Sequence, residues 1–308
     1  MRCRLRSVYY FNLHSSIFSF ADLVSLRLQR CNIPSLPIGF ASFPALQELD
    51  LKFVHFLAHG ENQLEAIIRR SPLLHALYMS NVFIPLGCPH SVIEAPNLRS
   101  LTIYSHYDYD WRIGELPCLE DANIQVTFYP QYGHDFGDFL ARFAQVRNLT
   151  LVSPVDDVEM PYTLPFTFYN LKNLKLYLDF TQMQHILFMF TLLRSCHNLE
   201  KLEIELIFFG GVKIYDDDHQ SIDANWEFLN ALWTDGMCAN LQVVQIIHIK
   251  LLPNEISFMK FILSKARLLR TLYVEELQLK LESCLKILEL DPNIVGEEST
   301  MVSKDSIA

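Results

Sequence analysis

Glycine is scarce in this sequence, and the signatures of nucleotide-binding and hydrolytic enzymes are missing. Ten glycines are scattered over 308 residues, too few and too dispersed for a loop that cradles phosphate groups. The chain contains no GxGxxG or Walker motif, no GxSxG elbow and no HExxH motif. Two close pairs of reactive side chains, His55 with His59 and Cys88 with His90, fall where apolar and proline patterns predict turns, loops or a helix start. The sequence therefore predicts a protein that is not an enzyme and binds no cofactor.

Basic clusters and long apolar runs are also lacking. The formal net charge is −10, from 25 Lys and Arg against 35 Asp and Glu, and no basic patch could hold nucleic acid independently of its sequence. Every window of about 18 residues contains polar groups, so no membrane-spanning helix is expected. The expected ligand is therefore a protein, rather than a nucleic acid or a membrane.

The seven cysteines form no metal-binding or disulfide pattern. Their number is odd, they lie far apart, and no CxxC spacing occurs. This usage is typical of reduced thiols in an intracellular protein. We expect a location in the cytoplasm, the nucleus or both. No metal site is expected either, because the consecutive residues Asp216, Asp217 and Asp218 lack the alternating ligand positions of a calcium loop.

A repeated phrase, Leu-x-x-Leu-x-Leu, runs through most of the chain, with other apolar residues in place of leucine in some copies. Successive copies start 21 to 28 residues apart, apart from one interval of 42. Intervals of roughly 20 to 29 residues are typical of leucine-rich repeats. The ten copies are Leu23/Leu26/Leu28, Leu46/Leu49/Leu51, Leu74/Leu77/Met79, Leu98/Leu101/Ile103, Leu119/Ala122/Ile124, Val146/Leu149/Leu151, Leu171/Leu174/Leu176, Leu199/Leu202/Ile204, Leu241/Val244/Ile246 and Leu269/Leu272/Val274.

Each copy predicts one short strand followed by a return segment. The second and third apolar positions are two residues apart, as one face of a strand requires. A single unit cannot bury its own apolar side, so neighbouring units must stack. The sequence therefore predicts an α/β leucine-rich-repeat solenoid, a horseshoe or arc with a parallel sheet on the concave face and helices or irregular segments on the convex face. Apolar residues at three- and four-residue steps predict helices over residues 62–70, 136–146, 182–196, 224–233 and 255–266.

Several segments resemble plant F-box proteins that carry leucine-rich repeats and an FBD segment. Residues 15–31 (SSIFSFADLVSLRLQRC) are similar to the opening repeat of that family. Residues 67–79 (IIRRSPLLHALYM) and 192–204 (LLRSCHNLEKLEI) resemble its helix-to-strand junctions, and residues 95–98 (APNL) resemble its step into a strand. Residues 241–274, from LQVVQ to TLYV, are similar to the closing FBD segment.

This resemblance implies the substrate-binding portion of an SCF-type E3 ubiquitin ligase F-box subunit. In such a subunit of a cullin-type ligase the F-box docks on a Skp-type adaptor, while the repeats hold a protein substrate. Only some twenty residues precede Leu23, so adaptor and cullin binding is expected only if an F-box lies upstream. The chain is then a truncated product or partial gene model, or else a repeat-only interaction or scaffold protein with no link to ubiquitin. An extracellular receptor fragment is a further alternative.

The same patterns predict how the chain is organised. Residues 1–22 are expected to form a partial first repeat, and residues 23–240 the repeat array. Residues 241–291 are expected to form FBD-like C-terminal repeats closed by a capping helix from Glu276 to Leu288, in which leucines recur at three- and four-residue steps. Residues 292–308 are polar and aperiodic, and are predicted to be a disordered tail.

Partner binding is expected on the strand residues that flank the core leucines, because these point away from the core. Tyr78, Tyr104 and Tyr177 stand out among them, since tyrosine offers a large contact area and one hydroxyl at a modest entropy cost. Lys175 and Glu203 occupy the same rows and are also predicted to contact a partner. The alternative is that exposed strand positions favour tyrosine regardless of binding.

Two further segments lengthen or disturb the repeat. Residues 104–111 (YSHYDYDW) alternate aromatic and acidic residues, and we predict a projecting loop that contacts a partner through Tyr107 and Trp111. The alternative is that Trp111 folds back over the core. Residues 208–225 account for the 42-residue interval and predict a solvated acidic loop.

Overall fold

The computed structural model describes residues 10–56, 60–84, 92–105, 112–126, 136–153, 163–207, 224, 226–231, 233 and 236–276. The chain divides into two compact units, unit 1 (Met1–His134) and unit 2 (Asp135–Ala308). Five of the ten predicted repeat strands lie in each unit, and all ten are strands in the structure. The prediction of an α/β leucine-rich-repeat fold with parallel strands is confirmed, while the horseshoe curvature and the domain boundaries stay predictions.

Unit 1 is built on a parallel sheet whose strands follow each other in chain order. Its elements are β1 (Phe11–Asn12), a short 3-10 helix (Ser15–Ser19), β2 (Ser25–Gln29), β3 (Cys31–Ile33), β4 (Glu48–Lys52), β5 (His55–Phe56), α1 (Gly60–Arg69), β6 (Ala76–Ser80), β7 (Val92–Ile93), β8 (Ser100–Ser105), β9 (Arg112–Ile113) and β10 (Asp121–Val126). Strands β2, β4, β6, β8 and β10 pair in that order. The short strands β1, β3 and β5 form a second small parallel sheet, and β7 pairs with β9.

Unit 2 repeats this arrangement with four described α-helices, two of which have 13 residues each. Its elements are α2 (Phe136–Ala141), β11 (Asn148–Val152), β12 (Asn173–Leu178), α3 (Met183–Ser195), β13 (Lys201–Leu206), α4 (Trp226–Ala231), β14 (Val243–Ile249), α5 (Pro253–Lys265) and β15 (Thr271–Glu276). Strands β11 to β15 pair in parallel and in chain order. None of the helices in the described ranges is long and apolar enough to cross a membrane.

The leucine phrase places its residues in the core as the spacing predicts. Equivalent positions of neighbouring copies are directly paired, as in Leu26 with Leu49 and Leu174 with Leu202, and these four side chains are buried. All five predicted helices form. The second is shorter than predicted: it ends at Ala141 and turns follow. The predicted capping helix over residues 276–288 and the predicted tail lie outside the described residues, apart from Glu276, which ends β15.

Hydrogen bonds between neighbouring repeats hold the turns in step just before each strand. The backbone N–H of Gln47 donates to the carbonyl of Val24 at 2.8 Å, and that of Glu200 donates to Lys172 at 2.9 Å. Asparagine side chains add a second set where an Asn-Leu pair opens the strand phrase. Their Nδ2 atoms donate to a turn carbonyl of the preceding repeat, at 2.8 to 3.3 Å, from Asn97, Asn170, Asn198 and Asn240.

Three strands of unit 1 end on a residue in the left-handed region. Arg30, Phe53 and Asn81 directly follow β2, β4 and β6 and have φ angles of 52°, 51° and 49°. Each backbone N–H donates to a carbonyl at the end of the next strand, at 2.8 to 2.9 Å: Lys52 and Ser80 are the last residues of β4 and β6, and Tyr104 is the second-last residue of β8. The left-handed turn thus extends the ladder by one bond, at a local steric cost for the non-glycine residues.

The helical side of unit 2 is closed by an aromatic cluster and one buried amide. Phe190 lies within 5.3 Å of Phe261 and 6.1 Å of Trp226, measured between ring centroids. Asn254, 2 % exposed, accepts hydrogen bonds from the backbone N–H of Ala224 at 3.0 Å and from the Trp226 indole at 3.4 Å. Its Nδ2 donates to the carbonyl of Phe180 at 3.0 Å. One side chain therefore connects the starts of α4 and α5 with the end of β12.

Candidate functional site

The residues between the core positions of the sheet strands form a surface of mostly polar and aromatic side chains in each unit, which we call the strand face of that unit. Along the strands these residues alternate with buried core residues. In unit 2 the paired strands align them in rows across the sheet. The central row is Thr150, Lys175, Glu203, Gln245 and Tyr273, and the row beside it is Val152, Tyr177, Glu205, Ile247 and Glu275.

Lys175 is the centre of an ionic network on the strand face of unit 2. Its Nζ lies 2.7 Å from Glu203 Oε1 and 2.9 Å from Glu205 Oε2. The same Nζ lies 4.9 Å from the centroid of the Tyr177 ring. Glu203 is shared, because its Oε2 also contacts Lys201 Nζ at 3.1 Å. Strands β12 and β13 are thereby joined by charged side chains that are only 18 to 37 % exposed.

These contacts shift the ionisation of the central pair. Partial burial lowers the pKa of Lys175, but hydrogen bonds to Glu203, Glu205 and Tyr177 outweigh it and leave the pKa raised. Burial alone would raise the pKa of Glu203, but hydrogen bonds from Lys175 and Lys201 outweigh it and leave the pKa lowered. Both groups are therefore charged over the physiological range.

The strand face of unit 1 carries smaller and more exposed ion pairs. Arg27 contacts Glu48 at 3.3 Å, and Lys52 contacts Asp50 at 3.2 Å. The Nζ of Lys52 also lies 4.6 Å from the centroid of the Tyr78 ring, a cation–π distance. The Arg27 and Glu48 side chains are 72 and 44 % exposed, so solvent screens them far more than the Lys175 network.

The structure brings three of the predicted contact residues together. Lys175 and Glu203 are directly paired across β12 and β13, and Tyr177 is the next outward residue of β12. Tyr78 and Tyr104 belong instead to neighbouring strands of unit 1: Tyr78 pairs with Thr102, and Tyr104 pairs with Ser80 and Gln125. Tyr107 and Trp111 lie outside the described residues, and so do His59, Cys88, His90 and the acidic segment 208–223.

Sequence reasoning missed the residues that complete the network. Glu205 and Lys201 were not identified as contact candidates, although Glu205 pairs with Tyr177 and Lys201 with Asn173. The signal was available, because outward positions at the same place in adjacent copies must lie side by side once the strands pair in register. The network becomes visible in the sequence only when charged residues at equivalent positions of neighbouring copies are compared, and not when one strand is considered alone.

Three of the described cysteines and His55 are packed against other residues of the protein. Cys31, Cys196 and Cys238 are buried free thiols, and burial raises the pKa of each, that of Cys238 to about 12. A thiol held protonated in this way is a poor nucleophile. His55 packs against Tyr10 and Phe83, with ring centroids 4.1 and 5.1 Å away, and burial lowers its pKa. The part of the chain that is described holds no group of three or more His, Cys, Asp or Glu placed to bind a metal.

One comparison with known proteins gives a match. The family model described as "FBD-associated F-box protein At5g56370, LRR repeats" matches residues 3–204, about two thirds of the chain. No curated protein matches it significantly. The matched range includes all the described strands of unit 1, the first two strands of unit 2 and the first four residues of β13. It therefore includes Tyr78, Tyr104, Tyr177, Lys175 and Glu203.

Proposed function

Since the chain belongs to the leucine-rich-repeat family of FBD-associated F-box proteins, we propose that it is a non-catalytic protein-recognition module that binds its partner on the strand face. Family membership supports an interaction module. The observation that carries the choice of surface is the register of the paired strands, which aligns outward polar and aromatic side chains in rows on a rigid support. Binding residues held on rigid elements need little ordering when a partner arrives.

Within that function we propose that the chain is the substrate-binding portion of an SCF-type E3 ubiquitin ligase subunit. The family's F-box link supports this assignment. A Skp-type adaptor and a cullin are then partners of a form that carries an F-box, while the repeats bind a protein substrate. The free thiols at Cys31, Cys118, Cys196 and Cys238 support a reducing compartment, cytoplasm or nucleus.

A second candidate is an interaction or scaffold protein that uses the same strand face without a link to ubiquitin. It is supported by the same match, because the family model describes the repeats over residues 3–204 and therefore supports a binding surface with or without a ligase. Both candidates place the partner on the same surface. They differ only in whether an adaptor and a cullin are recruited.

The surface is tested by affinity purification from plant extract with the chain as bait. The test variant combines Tyr78→Ala, Tyr104→Ala and Tyr177→Ala. The control combines Asp138→Ala and Lys260→Ala, two exposed helical positions away from the strands. We expect the strand-face variant to lose the proteins that wild type recovers, and the control to keep them. Equal recovery by all three, with matching circular dichroism spectra, would refute binding through these tyrosines.

The ubiquitin link is tested by comparing two baits, the 308-residue chain and the same chain preceded by whatever coding sequence lies upstream. Recovery of a Skp-type adaptor and a cullin by the extended bait alone supports the ligase assignment. Recovery of both by the short bait would show that docking needs no F-box. If neither bait recovers them, the scaffold function is the better description.

A further inference from the structure

The cations on the strand face of unit 2 are all engaged by carboxylates of the same face. Lys175 contacts Glu203 and Glu205, and Lys201 contacts Glu203. Both oxygens of Glu203 are used in these pairs. The two lysines are therefore occupied, and they present little unpaired positive charge to an incoming partner.

Two glutamates on the part of this face nearer to β15, Glu205 and Glu275, have carboxylate oxygens with fewer contacts. Glu205 Oε2 contacts Lys175, while Glu205 Oε1 lies 3.9 Å from His248 Nδ1, which is too long for a hydrogen bond. Glu275 accepts one hydrogen bond at Oε2, from the Tyr273 hydroxyl at 3.1 Å. Counting Lys175, Lys201, Glu203, Glu205 and Glu275, this surface has two positive and three negative charges. Among the contacts of the described residues, oxygen atoms of Glu205 and Glu275 therefore remain available to accept hydrogen bonds.

The two open carboxylates lie on either side of one half-buried apolar residue. Glu205 pairs with Ile247, and Ile247 pairs with Glu275, so the two glutamates are two strand spacings apart, about 9.5 Å at the backbone. Ile247 lies between them. Tyr273, the preceding outward residue of β15, is 37 % exposed and offers an aromatic ring beside the same gap.

We infer that this place binds an arginine side chain of a basic segment in the protein partner, with the guanidinium between Glu205 and Glu275 and its plane against Tyr273. This inference rests on the proposed function, because it names the chemistry of the partner that the strand face recognises. The net charge of −10 for the whole chain also draws a cationic segment toward it.

Arginine fits this arrangement better than lysine for geometric reasons. A guanidinium has five N–H donors in a planar fork, so one group can donate to carboxylates on two sides and still stack on a ring. A lysine ammonium is a compact point charge that reaches one carboxylate at a time. An acidic segment would meet three carboxylates and occupied lysines, so like charge would disfavour it.

The test is selection of random peptides displayed on phage against the full 308-residue chain. A selected peptide is then synthesised with its arginine kept, changed to lysine or changed to citrulline, which has a similar shape but no charge. Binding is measured by fluorescence anisotropy to wild type and to Glu205→Gln, Glu275→Gln and Glu120→Gln. Glu120, on unit 1, is 56 % exposed and paired with Arg99, so its variant matches the change in net charge.

We expect the selected peptides to contain arginine and the citrulline form to bind roughly tenfold more weakly, as for loss of one charge-assisted contact. Glu205→Gln and Glu275→Gln should each weaken binding several-fold, and Glu120→Gln should not. Equal weakening by Glu120→Gln would mean a diffuse charge effect and would overturn the inference. So would selection of apolar or acidic peptides, or of none.

The two proposals fail in distinguishable ways. Peptides without arginine whose binding is lost in Tyr177→Ala would overturn the arginine site and leave the strand face as the binding surface. Peptides whose binding no strand-face substitution affects would overturn both. The Glu→Gln changes are isosteric and lie on a partly exposed surface, so we expect each variant to keep the fold. Thermal unfolding of each variant checks this.

Discussion

The ionic network around Lys175 should stabilise the fold more than the Arg27–Glu48 ion pair of unit 1. A comparison of two double-mutant cycles measures this difference directly. The first cycle uses Lys175→Met, Glu203→Gln and both together. The second uses Arg27→Met, Glu48→Gln and both together. Each pair joins neighbouring parallel strands through one charge-assisted contact to a glutamate, with lysine as the cation in the first pair and the more exposed arginine in the second.

The expected magnitudes follow from distance and exposure. The Lys175–Glu203 contact is 2.7 Å long between side chains that are 27 and 18 % exposed, against 3.3 Å and 72 and 44 % for Arg27–Glu48. Exposed pairs contribute about 0.2 to 1 kcal/mol. We therefore expect a coupling energy of about 1 kcal/mol for the first pair and below about 0.5 kcal/mol for the second. Lys175→Met alone also breaks the contact with Glu205, so its total cost should be about 1.5 to 2 kcal/mol.

The assay is urea unfolding at pH 7 in 0.1 M and 1 M NaCl, where screening should remove most of the Arg27–Glu48 coupling and less of the Lys175–Glu203 coupling. Acidification adds a signed prediction. Because the folded-state pKa of Glu203 lies below its ordinary 4.5, its stabilisation is present above that ordinary value and is lost as pH falls through the folded pKa. Equal couplings in the two cycles, or equal salt sensitivity, would refute the argument from exposure.

Three further substitutions test other parts of the fold by urea unfolding. Asn254→Ala should cost about 3 kcal/mol because it leaves buried groups without partners, against about 1 kcal/mol for Asn198→Ala at an exposed turn; similar costs would contradict the role of the buried amide. Arg30→Gly should stabilise by about 0.5 kcal/mol by relieving the left-handed backbone, whereas Gln29→Gly in the regular strand should destabilise. Burial raises the pKa of Glu255, so its favourable contribution is present below its ordinary pKa and is lost as pH rises through the folded value. The stability of Glu255→Gln relative to wild type should therefore increase from pH 4 to pH 7, and a constant difference would contradict this.

The strands and their register could be predicted from the sequence because one phrase determines both. In the pair Leu174 and Leu202, the apolar spacing fixes which side is buried, and equivalence between copies fixes which residues face each other. The end of α2 could not be predicted in the same way. Apolar residues such as Phe143 and Val146 continue the helical spacing and are buried, but Phe143 lies in the turns that follow α2 and Val146 lies just after those turns.

The residues of the candidate site could likewise be predicted only in part. The outward rows containing Tyr177, Lys175 and Glu203 followed from alternation along each strand. The contact of Lys175 with two carboxylates did not, because it depends on side-chain rotamers on two neighbouring strands. The left-handed Phe53 also has no signal in the sequence, since most such positions are glycine or asparagine. There, tertiary hydrogen bonding outweighs local preference.

The pairing of β13 with its two neighbours shows that the register of the strands does not depend on the length of the connection between them. The repeat phrase recurs after 28 residues between Leu171 and Leu199 and after 42 between Leu199 and Leu241, yet both strand pairs align equivalent positions. Closing the longer connection costs only about 0.4 kcal/mol more than the shorter one. Insertions and deletions between strands can therefore accumulate at little thermodynamic cost while every row of the strand face stays in place. In related proteins that differ in this way, single substitutions on the strands would change which partner binds. Changes in the length of the connections would leave the binding surface unaltered.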